Sequence, residues 1–140
     1  MTRDEIARLF DRRLGAMNRH DVEALARDHA EDATLNSPMG GDVRGRTGIE
    51  NFYRAMFSSF PDAAFEQTDL IIDGDRVVQI AMMSGTNSGG FMDLPPTGKR
   101  FSLTVVVIMT LRDGQIVRQA AVYDFTRLLI EIGVLKAKPV

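Results

Sequence analysis

The apolar positions change their period once along the chain, near residue 61. Before it they recur at helical spacing. Ile6, Leu9, Phe10, Leu14 and Met17 predict a first helix to about Asn18, opened by the capping-box pair Thr2 and Glu5. "NRHD" breaks it, and Asp21 is suited to cap a short second helix carrying Val22, Leu25 and Ala26. "EDATL" predicts a brief strand, followed by a Gly/Pro loop, "NSPMGGDVRGR". Thr47 and Glu50 have capping-box spacing, and Ile49, Phe52, Tyr53, Met56, Phe57 and Phe60 form the apolar stripe of a third helix that Pro61 ends.

Beyond Pro61 the period falls toward two. "AAFEQTDLII" and "VVQIAMMSGT" around "DGDR" read as one hairpin, and "FSLTVVVIMTL" and "IVRQAAVYDF" around "RDGQ" as another. "TRLLIEIGVL" reads as a closing helix with Gly133 as its C-terminal cap. Helices first and a meander of long strands afterwards predict one α+β domain over residues 1–140, its helices on one face of a curved antiparallel sheet.

Composition narrows the chemistry. The chain of 140 residues has no cysteine, which removes disulfides, thiolate zinc sites and cysteine nucleophiles. Its 17 basic and 19 acidic residues form no long block of one sign, which argues against a nucleic-acid partner. There is no signal-peptide pattern and no apolar run near the roughly 20 residues of a membrane span, so the expectation is a cytoplasmic protein without a membrane partner. His20 and His29 read as exposed helix-end residues, and no spacing suits a metal. "SGTNSGG" imitates a phosphate loop, but no helix follows it.

Asp124 stands out. Ile116, Ala120 and Val122 share its face if the last strand alternates regularly. A carboxyl among such neighbours is poorly solvated and suited to proton exchange near neutral pH. It is also well placed to cap the closing helix, and the two roles are compatible. On the preceding strand, Ser102, Thr104 and Thr110 dot one face with hydroxyls while the other is wholly apolar. Eight methionines suit an adaptable interior.

The element order, with "EDATLNSP", "GRTGIENFYRAMFSSFPD", "GTNSGGFMDLPPTGKR" and "LRDGQIV…YDF", resembles the SnoaL-like polyketide cyclase family of the nuclear-transport-factor-2-like superfamily over nearly the whole chain. The resemblance implies a cone-shaped α+β barrel with a deep apolar pocket, dimerisation through the sheet, and ring closure by aldol chemistry without a cofactor. It implies an acid/base aspartate at Asp124. Asn36 and Asn87, often histidine in the family, join Thr104 and Thr110 as groups orienting substrate oxygens. Phe91 and Met92, on the loop from Ser88 to Gly98, are expected over the pocket mouth; the alternative is a surface loop packed on itself. Arg118 and Ala120 depart from a usual Glu-x-Trp, and the family's assisting histidine falls near Thr110. In the related ketosteroid isomerases the base aspartate falls at Ser37, which leaves that activity behind. The expectation is therefore a cofactor-independent cyclase-like enzyme acting on a small apolar carbonyl compound as a homodimer. The alternative is a non-catalytic binder of such compounds.

Overall fold

The computed structural model describes residues 1–136. Helices α1 (Arg3–Arg19) and α2 (Val22–Arg27) are followed by strands β1 (His29–Ser37) and β2 (Gly41–Arg44), then by helix α3 (Gly45–Ser59). Strands β3 (Ala64–Asp73), β4 (Arg76–Thr86), β5 (Arg100–Arg112) and β6 (Gln115–Val122) lead to helix α4 (Phe125–Glu131). The strands form one unclosed sheet in the order β2-β1-β6-β5-β4-β3. It is mixed rather than antiparallel throughout, because β1 returns from the helices to pair parallel with β6.

The α1 cap forms as expected: the Thr2 hydroxyl accepts from Glu5 N–H, and the Glu5 carboxylate accepts from Thr2 N–H. Asp21 caps α2. The third helix differs. It begins at Gly45, with Arg44 at the N-cap and no capping side chain, because β2 runs straight into it. The stretch expected to be loop thus contains β2, paired with β1 from Thr34↔Arg44 to Ser37↔Gly41.

Two apolar clusters lie between helices and the inner sheet face. The smaller packs Ile6, Leu9 and Phe10 of α1 against Val77, Met109, Leu111 and Ile116. The larger joins α3, through Ile49, Tyr53, Met56 and Phe57, to Leu35, Met83, Phe101 and Leu103, and α4 closes it with Leu128 and Ile132.

One irregularity decides what the last strand presents inward. Thr110 pairs with Arg118 but Leu111 with Ile116, so Val117 is an extra residue, a β-bulge. Ile116 is buried inward, and beyond the bulge the inward side passes to Gln119 and Ala121. Tyr123, just past the strand, continues that side. Regular alternation does not hold, and Asp124 falls on the opposite, exposed side. No helix of the described chain is long and apolar enough to cross a membrane.

Candidate functional site

A cavity of about 90 Å³ lies between α1, α3, α4 and the inner face of the sheet. Its walls are apolar almost everywhere. Val105 and Val107 on β5 and Ala81 on β4 form the floor, and Leu14, Phe52 and Phe65 border the sides. Four methionines, Met17, Met39, Met56 and Met83, also line it. Their unbranched side chains let such a wall change shape at little cost. Ligand pockets commonly hold about 300–1,000 Å³, so a ring-sized guest requires these side chains to move.

Five polar side chains interrupt the apolar lining: Ser37, Tyr53, Gln79, Gln119 and Tyr123. Met39 N–H donates to the Tyr123 hydroxyl oxygen at 3.0 Å, and Gly40 N–H donates to Ser37 Oγ at 2.9 Å. These bonds clamp the β1–β2 turn beside the cavity. Both hydroxyls retain a proton with no acceptor among the described residues. Burial pushes the Tyr123 phenol up to about 12, so it is a hydrogen-bond donor at neutral pH. Gln79 is held by Gln67 across the hairpin.

Behind Gln119 and Tyr53 runs a buried polar chain. His29 is 0 % exposed. Its Nδ1 stands 2.9 Å from the carbonyl of Leu25, and its Nε2 stands 2.8 Å from Gln119 Oε1. Gln119 Nε2 stands 3.2 Å from the Tyr53 hydroxyl. Arg13, buried on α1, donates to that hydroxyl, to Leu25 O and to Asp28. Arg12 completes the ion pair on Asp28. Desolvation, followed by the nearby Arg13 charge, depresses the His29 pKa to about 4.

The structure does not bring the seven sequence-predicted site residues together, and none of them lines the cavity. Asp124 is exposed and caps α4, accepting from Arg127 N–H at 3.0 Å. The bulge at Val117 removes the apolar surroundings that regular alternation gave it. Asn36 is exposed and donates to Asp42 on the outer face. Thr104, also on that face, is exposed and bonds the sulfur of Met82. Thr110 shares it, because inward positions on β5 are odd-numbered.

The loop residues are elsewhere again. Asn87 is fully buried, and its amide donates to Thr97 Oγ1 at 3.1 Å and Ile132 O at 3.5 Å, tying the loop to the end of α4. Phe91 is 4 % exposed and stacks on Phe60, with Phe125 at its edge. Met92 is 62 % exposed on a two-residue turn whose residues both have positive φ. The glycines serve close packing: a Cβ on Gly89 would lie 1.8 Å from Ser58 O. The loop is packed on the body and does not cover the cavity.

The histidines also depart from expectation. His20 is half-buried, stacks on Phe57 at 4.1 Å and bonds Ala63 O, while His29 begins β1 inside the core. Sequence reasoning missed Tyr53, Gln119, Tyr123 and His29 as a group. The available signal was Gln119 and Tyr123 at i, i+4 along the last strand and its exit, which alternation counted from Ile116 assigns to the wrong face.

Helices packed on a curved, unclosed sheet around an apolar cavity define the nuclear-transport-factor-2-like class. Within it, this chain belongs to the SnoaL-like polyketide cyclase family, whose model matches residues 7–132. IdmH of Streptomyces antibioticus, a proposed polyketide cyclase, is 32% identical, with 94% of this chain and 97% of that chain covered and a TM-score of 0.73. TsrD of Streptomyces laurentii is 25% identical, with 96% and 99% covered and a TM-score of 0.83. AclR of Streptomyces galilaeus, a proposed hydroxylase, is 26% identical, with 90% and 79% covered and a TM-score of 0.76. No curated protein matches the chain.

Proposed function

We propose that the cavity binds an apolar compound through a carbonyl or enol oxygen, and that the protein promotes ring closure of such a compound without a cofactor. The observation that carries this reading is an apolar enclosure interrupted by hydroxyl and amide groups, with free hydroxyl protons on Ser37 and Tyr123. Membership of a polyketide cyclase family supports it.

Among the described residues the lining contains no carboxylate, imidazole or amine. A side-chain general base is therefore not part of the proposal. A methylene between two carbonyls supplies its own nucleophile: its proton moves to a carbonyl oxygen, giving an enol. The enol carbon then attacks a third carbonyl further along the chain, a carbon–carbon bond forms as that C=O π bond opens, and the enol proton passes to the new alkoxide oxygen. What the cavity contributes is a folded substrate and donors aimed at the oxygen where charge develops.

The test is a linear triketone with one such methylene, followed by loss of water and growth of enone absorbance. Turnover that falls in Tyr123→Phe supports the enzyme. Saturable binding with no acceleration over buffer leaves the binder, which the lack of an ionisable base in the lining favours.

We also propose a homodimer through the outer face of the sheet. There Val78, Ile108 and Ala120 stand in one cross-strand row and Ile80, Val106 and Val122 in the next. Val122 is 56 % exposed, so water meets apolar surface that a second copy would cover. Sedimentation should show a dimer at micromolar concentration that Val106→Arg dissociates; a wild-type monomer would refute it.

A further inference from the structure

The buried chain behind the cavity contains a hydrogen-bonding conflict whose resolution fixes the polarity of the site. Leu25 O is a terminal carbonyl of α2 and accepts only, so His29 Nδ1, 2.9 Å away, carries a proton. Gln119 Oε1, 2.8 Å from Nε2, accepts only as well. With the amide turned this way His29 needs protons on both nitrogens. A neutral imidazole has one, and two lone pairs would then meet at 2.8 Å.

The surroundings oppose the cation. Arg13 of α1 reaches Leu25 O, the acceptor that His29 also uses, and Arg46 of α3 donates to the His29 carbonyl. Asp28 is the one nearby acid in the chain of contacts, and Arg12 and Arg13 already engage it. Tyr53 of α3 and Gln119 of β6 complete the surroundings as uncharged groups. A fully buried ring so placed stays neutral, as its depressed pKa also indicates.

An amide's oxygen and nitrogen have nearly the same shape, so its hydrogen bonds decide how it is turned. Turned over, Gln119 satisfies every partner. Its NH2 donates to His29 Nε2, its carbonyl accepts from Tyr53 O–H, and Tyr53 accepts from Arg13 Nη2 at 3.4 Å.

We infer that His29 is a positioning residue that holds Gln119 in this orientation, so that the remaining Gln119 N–H, and not Tyr53 O–H, is the donor offered to a ligand's carbonyl or enolate oxygen. Tyr53 commits its proton to Gln119 and has none for a guest. The wall then presents Gln119 N–H, Tyr123 O–H and Ser37 O–H, a set that recognises an acceptor oxygen and leaves a hydroxyl donor unpaired. This use of the donor rests on the proposed carbonyl-binding role of the cavity; the orientation of the amide does not.

Two measurements separate these levels. In ¹⁵N-labelled protein, an N–H···N bond gives a trans-hydrogen-bond nitrogen–nitrogen coupling between Gln119 Nε2 and His29 Nε2, and His29 shows one ring N–H. The opposite orientation gives no coupling and two ring N–H signals, which overturns the inference. The second measurement is the carbonyl stretch of bound acetophenone with its affinity. Gln119→Met should lose the low-frequency shift with about a tenfold drop in affinity, the size of one hydrogen bond. His29→Phe should weaken the shift because the amide can then turn, whereas Tyr53→Phe should leave it in place. Loss of the shift in Tyr53→Phe but not in Gln119→Met overturns the assignment of the donor. If His29→Phe fails to fold, the wild-type coupling and the Gln119→Met and Tyr53→Phe pair still decide. Coupling without acetophenone binding upholds the orientation and removes the carbonyl-binding role instead.

Discussion

Two groups of buried polar side chains sit at different places in this fold, one around Asn87 and one around His29. Asn87 and Thr97 join the long β4–β5 loop to the last turn of α4, and Asn87 Oδ1 has no donor among the described residues. His29, Gln119, Tyr53 and Arg13 connect α1, β1, α3 and β6, and two of them reach the cavity. The first cluster fastens the loop to the helix end and does not line the cavity. The second passes its hydrogen-bonding demands to a wall that a small molecule can touch. Burial of a polar group therefore does not identify a site; what it opens onto does.

The contrast breaks most sharply at Phe91. This ring fills a pocket between Phe60 and Phe125, so Phe91→Ala should cost about 3–5 kcal/mol of stability. Affinity of the folded protein for acetophenone should stay within twofold, because the ring does not line the cavity. Urea unfolding and calorimetric titration check both halves. A large loss of affinity with little loss of stability would restore the loop as a cover.

The His29 cluster has its own signature in pH. Its folded pKa of about 4 lies below the ordinary histidine value of 6.5, so between these values the unfolded chain binds a proton that the folded chain does not. Stability should therefore be fully present above about pH 6.5 and be lost progressively toward pH 4, by roughly 3 kcal/mol at most. Urea midpoints across this window should show the slope, and His29→Gln should flatten it even if it lowers the starting stability. An unchanged slope in that variant would mean that His29 is not kept neutral by the fold.

Much of the architecture was legible in the sequence because helical and strand periods are local. The Thr2 and Asp21 caps, the change of period at Pro61 and the two hairpins all depend on neighbours within a few residues. β2 was not, since Gly41–Arg44 has no apolar alternation and is a strand only by pairing with β1. The site was hidden for a related reason. The single extra residue at Val117 reverses every later side chain of the last strand, turning Asp124 outward and Gln119 inward. A bulge of this kind has no compositional mark, and a period-two count through it assigns the wrong face. His29 was unreadable because its partners lie at Leu25 and, 90 residues away, at Gln119.

A smaller effect sharpens the comparison at Tyr123. Tyr123→Phe leaves Met39 N–H without its acceptor but preserves the ring, so stability should fall by about 1 kcal/mol. Acetophenone affinity should fall about tenfold if the phenol donates to the carbonyl. The phenol's titration is a separate check: in Tyr53→Phe, ultraviolet absorbance should show the remaining tyrosine ionising near pH 12 rather than 10. Equal affinity in wild type and Tyr123→Phe would remove this hydroxyl from the site.

The smallest effect is expected at Asp124, the residue that regular alternation had placed among apolar neighbours. Its carboxylate accepts from Arg127 N–H at the start of α4, a role for which Asn serves about as well. Asp124→Asn should therefore change stability by less than about 0.5 kcal/mol, while Asp124→Ala, which removes the cap, should cost about 1 kcal/mol. Neither change reaches the cavity wall, and acetophenone affinity and any triketone turnover should remain at wild-type levels. The pair distinguishes capping from proton transfer, since a base loses function in both variants and a cap loses stability in only one. Turnover that collapses in Asp124→Asn with stability intact would require the carboxylate to enter the cavity during the reaction, and would return the proton transfer to it.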